Sequence, residues 1–148
     1  MDSDTLKAAL AAAVPFNATL GIAYDEITPE RATLRLPDRR ELHNHVGGPH
    51  AGAMFSLGEA ASGAVVIANF AEQIATATPL AARAEIAYKR VAKGEVTATA
   101  TLDRARDEVL AELDEAGRAR FDVRVTLSDA EGETTSELTV QWHLRRHA

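Results

Sequence analysis

The chain contains no cysteine among its 148 residues. This absence excludes disulfide bonds, catalysis by a thiol and metal sites built on thiolates. A basic stripe is also missing, and the net charge of −6 with a pI near 5.3 argues against a nucleic-acid-binding surface. The N-terminal apolar run, residues 8–14, is too short to span a membrane, and the acidic Asp2 and Asp4 before it do not suit a signal peptide. We therefore expect a cytoplasmic protein without nucleic-acid or membrane partners.

No internal repeat, low-complexity tract or linker divides the sequence. Apolar residues make up 46% and charged residues 26%, as in ordinary soluble globular proteins. A chain of 148 residues is long enough to enclose one proper core. We predict a single domain over residues 1–148, in which residues 1–15 form an appended N-terminal helix.

The periodicity of apolar residues predicts a helix, two strands, a long helix and four strands. The long helix covers 51–70, and a short acidic helix, 107–116, interrupts the last four strands. A turn at Lys93-Gly94 joins the third strand to the fourth. The remaining predicted elements are a helix over 3–14 stopped by Pro15, and strands within 19–28, 31–36, 84–89, 96–102, 121–127 and 138–144. This order favours an α+β fold, with a sheet packed on one buried helix.

The stretch 43–70 is the most informative part of the sequence. Its first eight residues, 43–50, contain three histidines, two glycines, an asparagine and a proline, which predicts a loop. The helix that follows is apolar on nearly every side, which is typical of a buried helix. Its only charge is Glu59, which must find a partner, change its pKa or face a wet cleft. A structural, satisfied Glu59 is the alternative.

One face of this helix consists of small residues and the single acid. Gly52, Ser56, Glu59 and Gly63 lie at i, i+4, i+7 and i+11, so they share a side. Such a face leaves room for a ligand chain or for a second helix.

The loop and helix carry a resemblance to a known fold. The loop reads N-x-x-G-x-x-H-x-G through Asn44, Gly47, His50 and Gly52, and Glu59 follows the histidine by nine residues. With the strand pair before and the four strands after, residues 16–146 resemble the hotdog fold. The nearest likeness is to acyl-CoA thioesterases of the phenylacetyl-CoA (PaaI-like) type. The resemblance implies an antiparallel sheet wrapped around one long buried central helix.

The resemblance also implies roles for the site residues. The backbone N–H of Ala51 would polarise the thioester carbonyl, aided by the helix dipole. Asn44 would lie near the carbonyl or the attacking water, His50 would orient the loop, and Glu59 would act as general base or nucleophile. Gly52, on the same motif, is expected to contact substrate. Asn44 as a simple turn residue remains an alternative.

Three cations are candidates for the phosphates of coenzyme A. Lys89, Arg90 and Lys93 cluster where the strand after the central helix ends, a region from which hotdog enzymes contact the nucleotide. Solvated charges flanking a turn are an equally good interpretation. Coenzyme A would enter as part of the substrate, so no separate cofactor is expected. The loop histidines have no acidic residue near them after Glu41, and we expect no metal.

The sequence departs from the family pattern at three positions. Ala51 replaces a glycine, Glu59 stands where the nearest enzymes have aspartate, and Ala81 occupies a position where some relatives carry a water-orienting hydroxyl. An acyl-CoA thioesterase is the predicted function. The alternative is a non-catalytic acyl-CoA- or acyl-binding protein on the same scaffold, and a hydratase is more distant.

Helix geometry predicts that the site is shared between two chains. Ala51 and Glu59 are eight residues apart, which separates their backbones by about 12 Å along one helix. Both groups must nevertheless reach the same carbonyl and its water. We therefore expect a homo-oligomer, a dimer or a dimer of dimers, in which two central helices lie side by side and antiparallel.

Overall fold

The computed structural model describes residues 1–148 and contains four α-helices and six strands. Two short 3₁₀ turns, Arg40–Leu42 and Ala71–Gln73, flank the central helix on either side. In chain order the elements are α1 (Ser3–Ala13), α2 (Pro15–Leu20), β1 (Ala23–Ile27), β2 (Ala32–Leu36), α3 (Ala51–Phe70), β3 (Ala77–Tyr88), β4 (Val96–Leu102), α4 (Arg106–Ala116), β5 (Arg118–Ser128) and β6 (Thr134–Arg146).

All six strands belong to one antiparallel sheet in the order β1-β2-β4-β5-β6-β3. Strand alternation separates the two faces: in β2, for example, Ala32, Leu34 and Leu36 are buried while Thr33 and Arg35 are not. The inward face packs against α3, and Gly58 permits the closest approach. A Cβ added at Gly58 would lie 2.6 Å from the Leu138 side chain on β6. This confirms the predicted α+β fold with a sheet around one long central helix.

The helix α3 occupies the predicted residues, Ala51–Phe70. It is long and apolar enough to cross a membrane, but most of its surface is buried against the sheet, as expected of a core helix. Gly52, Ser56, Glu59 and Gly63 are not fully buried. The predicted small-residue face therefore borders spaces that lie between α3 and the N-terminal helices α1 and α2.

The N-terminal segment differs from the prediction. Pro15 does not simply stop a helix; it occupies the first turn of a second one, α2, where its missing N–H costs nothing. Gly21, at φ 72°, ends α2, and the strand predicted within 19–28 is therefore restricted to Ala23–Ile27. Both N-terminal helices lie over this small-residue face of the central helix, where they line a cavity described below.

The strand after the central helix is longer than predicted and lies at an edge. β3 extends over Ala77–Tyr88 and pairs only with β6, whereas β4 pairs with β2 and β5. The predicted turn at Lys93-Gly94 is present, with Gly94 at φ 75°. It does not form a hairpin, because β3 and β4 are not neighbours in the sheet. Most of β3 is exposed, including Leu80 at 60%. The edge is thus long and unpaired.

Candidate active site

The loop before α3 is organised by Asn44. Its Oδ1 accepts hydrogen bonds from the backbone N–H groups of Val46 (3.0 Å) and Gly48 (3.1 Å). The backbone N–H of Asn44 donates to the Gly48 carbonyl over 2.7 Å, and Gly47 takes the left-handed conformation at φ 79°. The Asn44 carbonyl-type oxygen is therefore occupied within its own loop. Asn44 therefore acts as a turn residue, and its side chain fixes the conformation of the loop that leads into α3.

His50 is the N-cap of α3. Its Nδ1 accepts a hydrogen bond from the Gly52 backbone N–H over 2.8 Å, so a neutral His50 ring carries its proton on Nε2. A Cβ at Gly52 would approach Nδ1 to 3.1 Å, which explains why a glycine suits this position. His50 and Gly52 line an open depression with Ser56 and Phe16. The predicted loop-orienting role of His50 thus has a physical basis in this capping bond.

Ala51 supplies a backbone donor at the end of the helix. As the first helical residue it has no acceptor within α3, because an acceptor four residues earlier would lie in the loop. The partial positive charge of the helix end adds to this donor. Tyr88 approaches the same turn, where its hydroxyl donates to the Ala51 carbonyl over 3.0 Å. These groups meet at a groove.

We call this groove, of about 330 Å³, the helix-end groove. It brings together Asn44 and Ala51 with Lys89 and Arg90, four of the residues predicted for the site. The complete lining is Asn44, Pro49, Ala51, Met54, Tyr88, Lys89, Arg90, Val91 and Ala92. Lys93 lies beyond it, at the following turn.

Each predicted phosphate-binding cation faces an acidic residue near or on β6. The ion pairs are Lys89–Glu137 at 3.0 Å, Arg90–Glu133 at 3.3 Å and Lys93–Glu131 at 4.0 Å. All six side chains are about half exposed or more, and exposed pairs of this kind contribute little stability. The cations are therefore neutralised in this structure by partners that a stronger anion could displace.

Glu59 lies elsewhere, in a separate cavity of about 310 Å³ beneath the N-terminal helices. We call it the Glu59 cavity. Its lining is mostly apolar: Leu10, Ala13, Val14, Asn17, Tyr24, Glu59, Ala60, Gly63, Ala64, Val66, Ile67, Pro79 and Trp142. Burial raises the pKa of the Glu59 carboxyl, and no positive group offsets the effect. The sequence predicted that Glu59 would find a partner, change its pKa or face a cleft. In the structure its pKa is raised and its side chain lines a cavity.

Three polar contacts at the Glu59 cavity were not predicted. Asn17 Nδ2 donates to the Tyr24 hydroxyl over 3.0 Å, and Trp142 Nε1 donates to Ser62 Oγ over 3.2 Å. Ser62 Oγ in turn donates to the Glu59 backbone carbonyl over 2.7 Å. Of these contacts only Trp142–Ser62 joins distant parts of the chain, and the periodicity of apolar residues reveals none of the three. The sequence offers one indication of their importance: the chain has a single tryptophan and only two tyrosines.

The remaining predicted groups lie apart. Ala81 is on the exposed edge strand next to a bulge and lines neither cavity. His43 Nε2 pairs with Asp38 Oδ1 at 2.6 Å, His45 is exposed, and no three metal-ligating side chains converge in the chain.

Within one chain, the Ala51 donor and the Glu59 carboxylate face different spaces, since Ala51 lines the helix-end groove and Glu59 lines the Glu59 cavity.

The strand order and the long central helix inside the sheet define a hotdog fold. The sequence pattern of the family described as "Domain of unknown function (DUF4442)" matches residues 3–144. The chain belongs to this family, which is part of the hotdog superfamily.

Solved structures agree with this assignment. A Pseudomonas aeruginosa protein described as "a protein of unknown function" and "probable thioesterase" is 27% identical, with a TM-score of 0.89; the alignment covers 99% of this chain and 97% of that one. A thioesterase family protein from Silicibacter pomeroyi is 21% identical, with a TM-score of 0.76 and coverage of 97% and 98%. The second likeness shows the fold alone. No curated protein matches the chain.

Proposed function

We propose that this protein is a thioester hydrolase that acts on acyl-CoA and releases a free acid and coenzyme A. One observation carries the proposal: the central helix presents a free backbone donor at its N-terminal end and an unpaired, half-buried carboxylate, each opening into a cavity. Acyl transfer requires these two groups, a donor for the developing oxyanion and a base for water. The likeness to the Pseudomonas protein, described as a probable thioesterase, supports the same reaction.

In the proposed reaction, Glu59 removes a proton from a water molecule as the water oxygen forms a bond to the thioester carbon. The carbonyl oxygen becomes an oxyanion and accepts a hydrogen bond from the Ala51 N–H. When the carbon–oxygen double bond re-forms, the carbon–sulfur bond breaks. The leaving thiolate takes the proton from Glu59, which returns the carboxylate to its starting state.

The proposed site requires two chains. Eight residues of helix separate the Ala51 donor from Glu59 by about 12 Å, so Glu59 of one chain would act with Ala51 of another. One feature supports an isologous dimer: the unpaired edge of β3. An open edge of twelve residues needs protection against uncontrolled pairing, and a defined partner strand would provide it.

The two cavities suit different parts of an acyl-CoA. The Glu59 cavity is apolar and would take the acyl group; its volume of about 310 Å³ is roughly twice that of an apolar cavity that binds benzene. A phenyl-bearing or medium-length acyl group fits this space. The helix-end groove, with Lys89 and Arg90 beside it, would take the pantetheine arm and the phosphates, with Lys93 further along.

A second function is acyl binding without hydrolysis. The observation in its favour is Ala81, which offers no hydroxyl for a water molecule and lies outside both cavities. In that case the same pocket would bind an acyl-CoA and leave it intact.

The test is to incubate the purified protein with butanoyl-, octanoyl-, phenylacetyl- and palmitoyl-CoA and to measure free thiol. Thioester hydrolysis predicts fastest release with the octanoyl or phenylacetyl substrate and loss of release in Glu59→Gln. Binding of an acyl-CoA without thiol release above the uncatalysed rate would overturn the enzymatic proposal in favour of the binding protein.

A further inference from the structure

A buried amide and a phenol line the same cavity as Glu59. Asn17 is only 6% exposed, and its Nδ2 donates to the Tyr24 hydroxyl over 3.0 Å. Since the phenol oxygen accepts the amide proton, its own proton remains available to donate, and no acceptor within the chain takes it. Trp142 is the other polar side chain of the lining, and its N–H is already bound by Ser62. Tyr24 is therefore the hydroxyl donor available inside the Glu59 cavity.

Local structure holds Tyr24 in this position. A β-bulge directly follows it, where Tyr24 pairs with Leu34 and the register then shifts. Bulges of this kind re-aim neighbouring side chains and recur next to active sites. Asp25, the bulged residue, forms a two-pronged ion pair with Arg35 at 2.6 and 2.9 Å, which anchors the bulge to β2. The phenol is thus fixed from β1 on one side and from Asn17 on the other.

We propose that Tyr24 orients the water molecule that Glu59 activates, and that Asn17 is a positioning residue that acts through Tyr24. This inference rests on the proposed thioester hydrolysis. The Tyr24 O–H donates to one lone pair of the water oxygen, and a water proton faces the Glu59 carboxylate. The second lone pair of the water is then directed at the thioester carbon.

This arrangement provides a water-orienting hydroxyl from a different strand. The family resemblance implies such a hydroxyl, in some relatives, on the strand after the central helix, where this chain has Ala81 instead. Tyr24 would supply it from β1, at the opposite edge of the sheet. An otherwise apolar cavity with a single acid requires such a donor, because a lone carboxylate fixes one proton of the water and leaves its oxygen free to turn.

The test is a double-mutant cycle on the acyl-CoA that the protein hydrolyses fastest. Tyr24→Phe removes only the hydroxyl, and we expect kcat to fall about tenfold to hundredfold with KM within about twofold. Asn17→Leu keeps the approximate size and adds no charge beside Glu59, but it removes the amide that holds the Tyr24 hydroxyl in position. We expect it to lower kcat as much as Tyr24→Phe, and to have no further effect in the Tyr24→Phe background.

Thr19→Val is the matched control. Thr19 lies on the same helix as Asn17, but its hydroxyl bonds to the Pro15 carbonyl at 3.3 Å and does not line the cavity. We expect its kcat and melting temperature to match those of the unmodified protein.

Several outcomes overturn the inference. An unchanged kcat in Tyr24→Phe would do so, as would losses from the two substitutions that multiply in the double variant, since that pattern marks independent structural effects. If Glu59→Gln nevertheless abolishes hydrolysis, the proposed function stands without Tyr24. If the unmodified protein hydrolyses no thioester, the proposed function and this inference fall together.

Discussion

The two positions of the central helix to which we assign catalytic roles, Ala51 and Glu59, have opposite surroundings. At its N-terminal end the polar groups are bonded to one another: Asn44 holds the loop, His50 caps Gly52, and Tyr88 reaches the Ala51 carbonyl. Eight residues further on, Glu59 lies in an apolar cavity with no partner for its charge.

The difference implies that the two positions would obtain their proposed reactivity in different ways. In the proposed reaction the helix end offers a backbone N–H, which depends on a correctly shaped loop and is present with alanine as with glycine at position 51. The middle of the helix offers the Glu59 carboxylate, whose proposed role as a base would depend on the exclusion of water and of opposite charge, which raises its pKa. Hydrogen bonds hold the surroundings of Ala51 in place, whereas the Glu59 carboxylate has neither a hydrogen-bond partner nor an opposite charge near it.

The largest expected effect is from Glu59→Gln. It keeps the size of the side chain and removes the base, so we expect kcat to fall at least about a hundredfold. Circular dichroism and melting temperature would show that the fold is retained. Hydrolysis at a rate close to that of the unmodified protein would exclude Glu59 as the base.

Ala51→Pro tests the other position, because it removes the backbone N–H at the start of α3. Proline is well tolerated at the first position of a helix, and His50, at φ −65° and ψ 140°, already has the conformation that a following proline requires. Only the N–H is lost, so we expect kcat to fall about a hundredfold to a thousandfold. Asn44→Ala would be a poorer probe because it also disturbs the loop. A fully active Ala51→Pro protein would show that the oxyanion is held elsewhere.

Mixing the two inactive proteins tests whether the positions act across a dimer. If subunits exchange freely, half of the dimers combine Ala51→Pro with Glu59→Gln, and each of these has one intact site and one doubly defective site. Activity should return to about a quarter of the normal value, by the symmetry of a twofold interface. Native mass spectrometry would verify the mixed dimer. No recovery in a verified mixed dimer would contradict the shared site.

A smaller effect is expected at the ion pairs beside the helix-end groove. Neutralising Lys89 and Arg90 together should raise KM for acyl-CoA about threefold to tenfold with little change in kcat, and high salt should reduce the effect. Glu133→Gln with Glu137→Gln should lower KM, because their carboxylates compete with phosphates for the same cations. An acyl-pantetheine, which has no nucleotide, is the control substrate and should respond to neither pair. Equal responses of both substrates would place the phosphates elsewhere.

The smallest expected effect concerns stability. The pKa of Glu59 is raised on folding because burial disfavours its charge. The folded state therefore binds more protons than the unfolded state between the two pKa values, and stability falls as pH rises through that window. Glu59→Gln removes this penalty, so its melting temperature should gain more at pH 8 than at pH 4. A gain that does not depend on pH would contradict the desolvated carboxyl.

Much of this fold was predictable because local signals agreed with the final packing. The helix α3 has a clear loop before it and an apolar surface suited to a core, and β2 alternates cleanly. The second N-terminal helix was missed because Pro15 reads as a stop, although proline at a first turn starts a helix equally well.

The site was less predictable, because its contacts depend on tertiary register. Glu59 stood out as the only charge of its helix, but the pattern of apolar residues does not show that the turn at Gly21 brings Asn17 within hydrogen-bonding distance of Tyr24. Likewise, the acidic partners of Lys89 and Arg90 follow from the pairing of β3 with β6, which places Tyr88 opposite Ser136. Sequence spacing carries no information about such cross-sheet neighbours.

The position of Trp142 gives the protein a built-in optical reporter. It is the only tryptophan in the chain, is 7% exposed, and borders the Glu59 cavity with its ring close to Gly63. Indole emission responds to the polarity around the ring, so displacement of water from this cavity by an acyl group would change the fluorescence without any attached dye. Because the signal arises from occupancy and not from turnover, the same cuvette experiment can follow a non-hydrolysable ligand and a substrate alike.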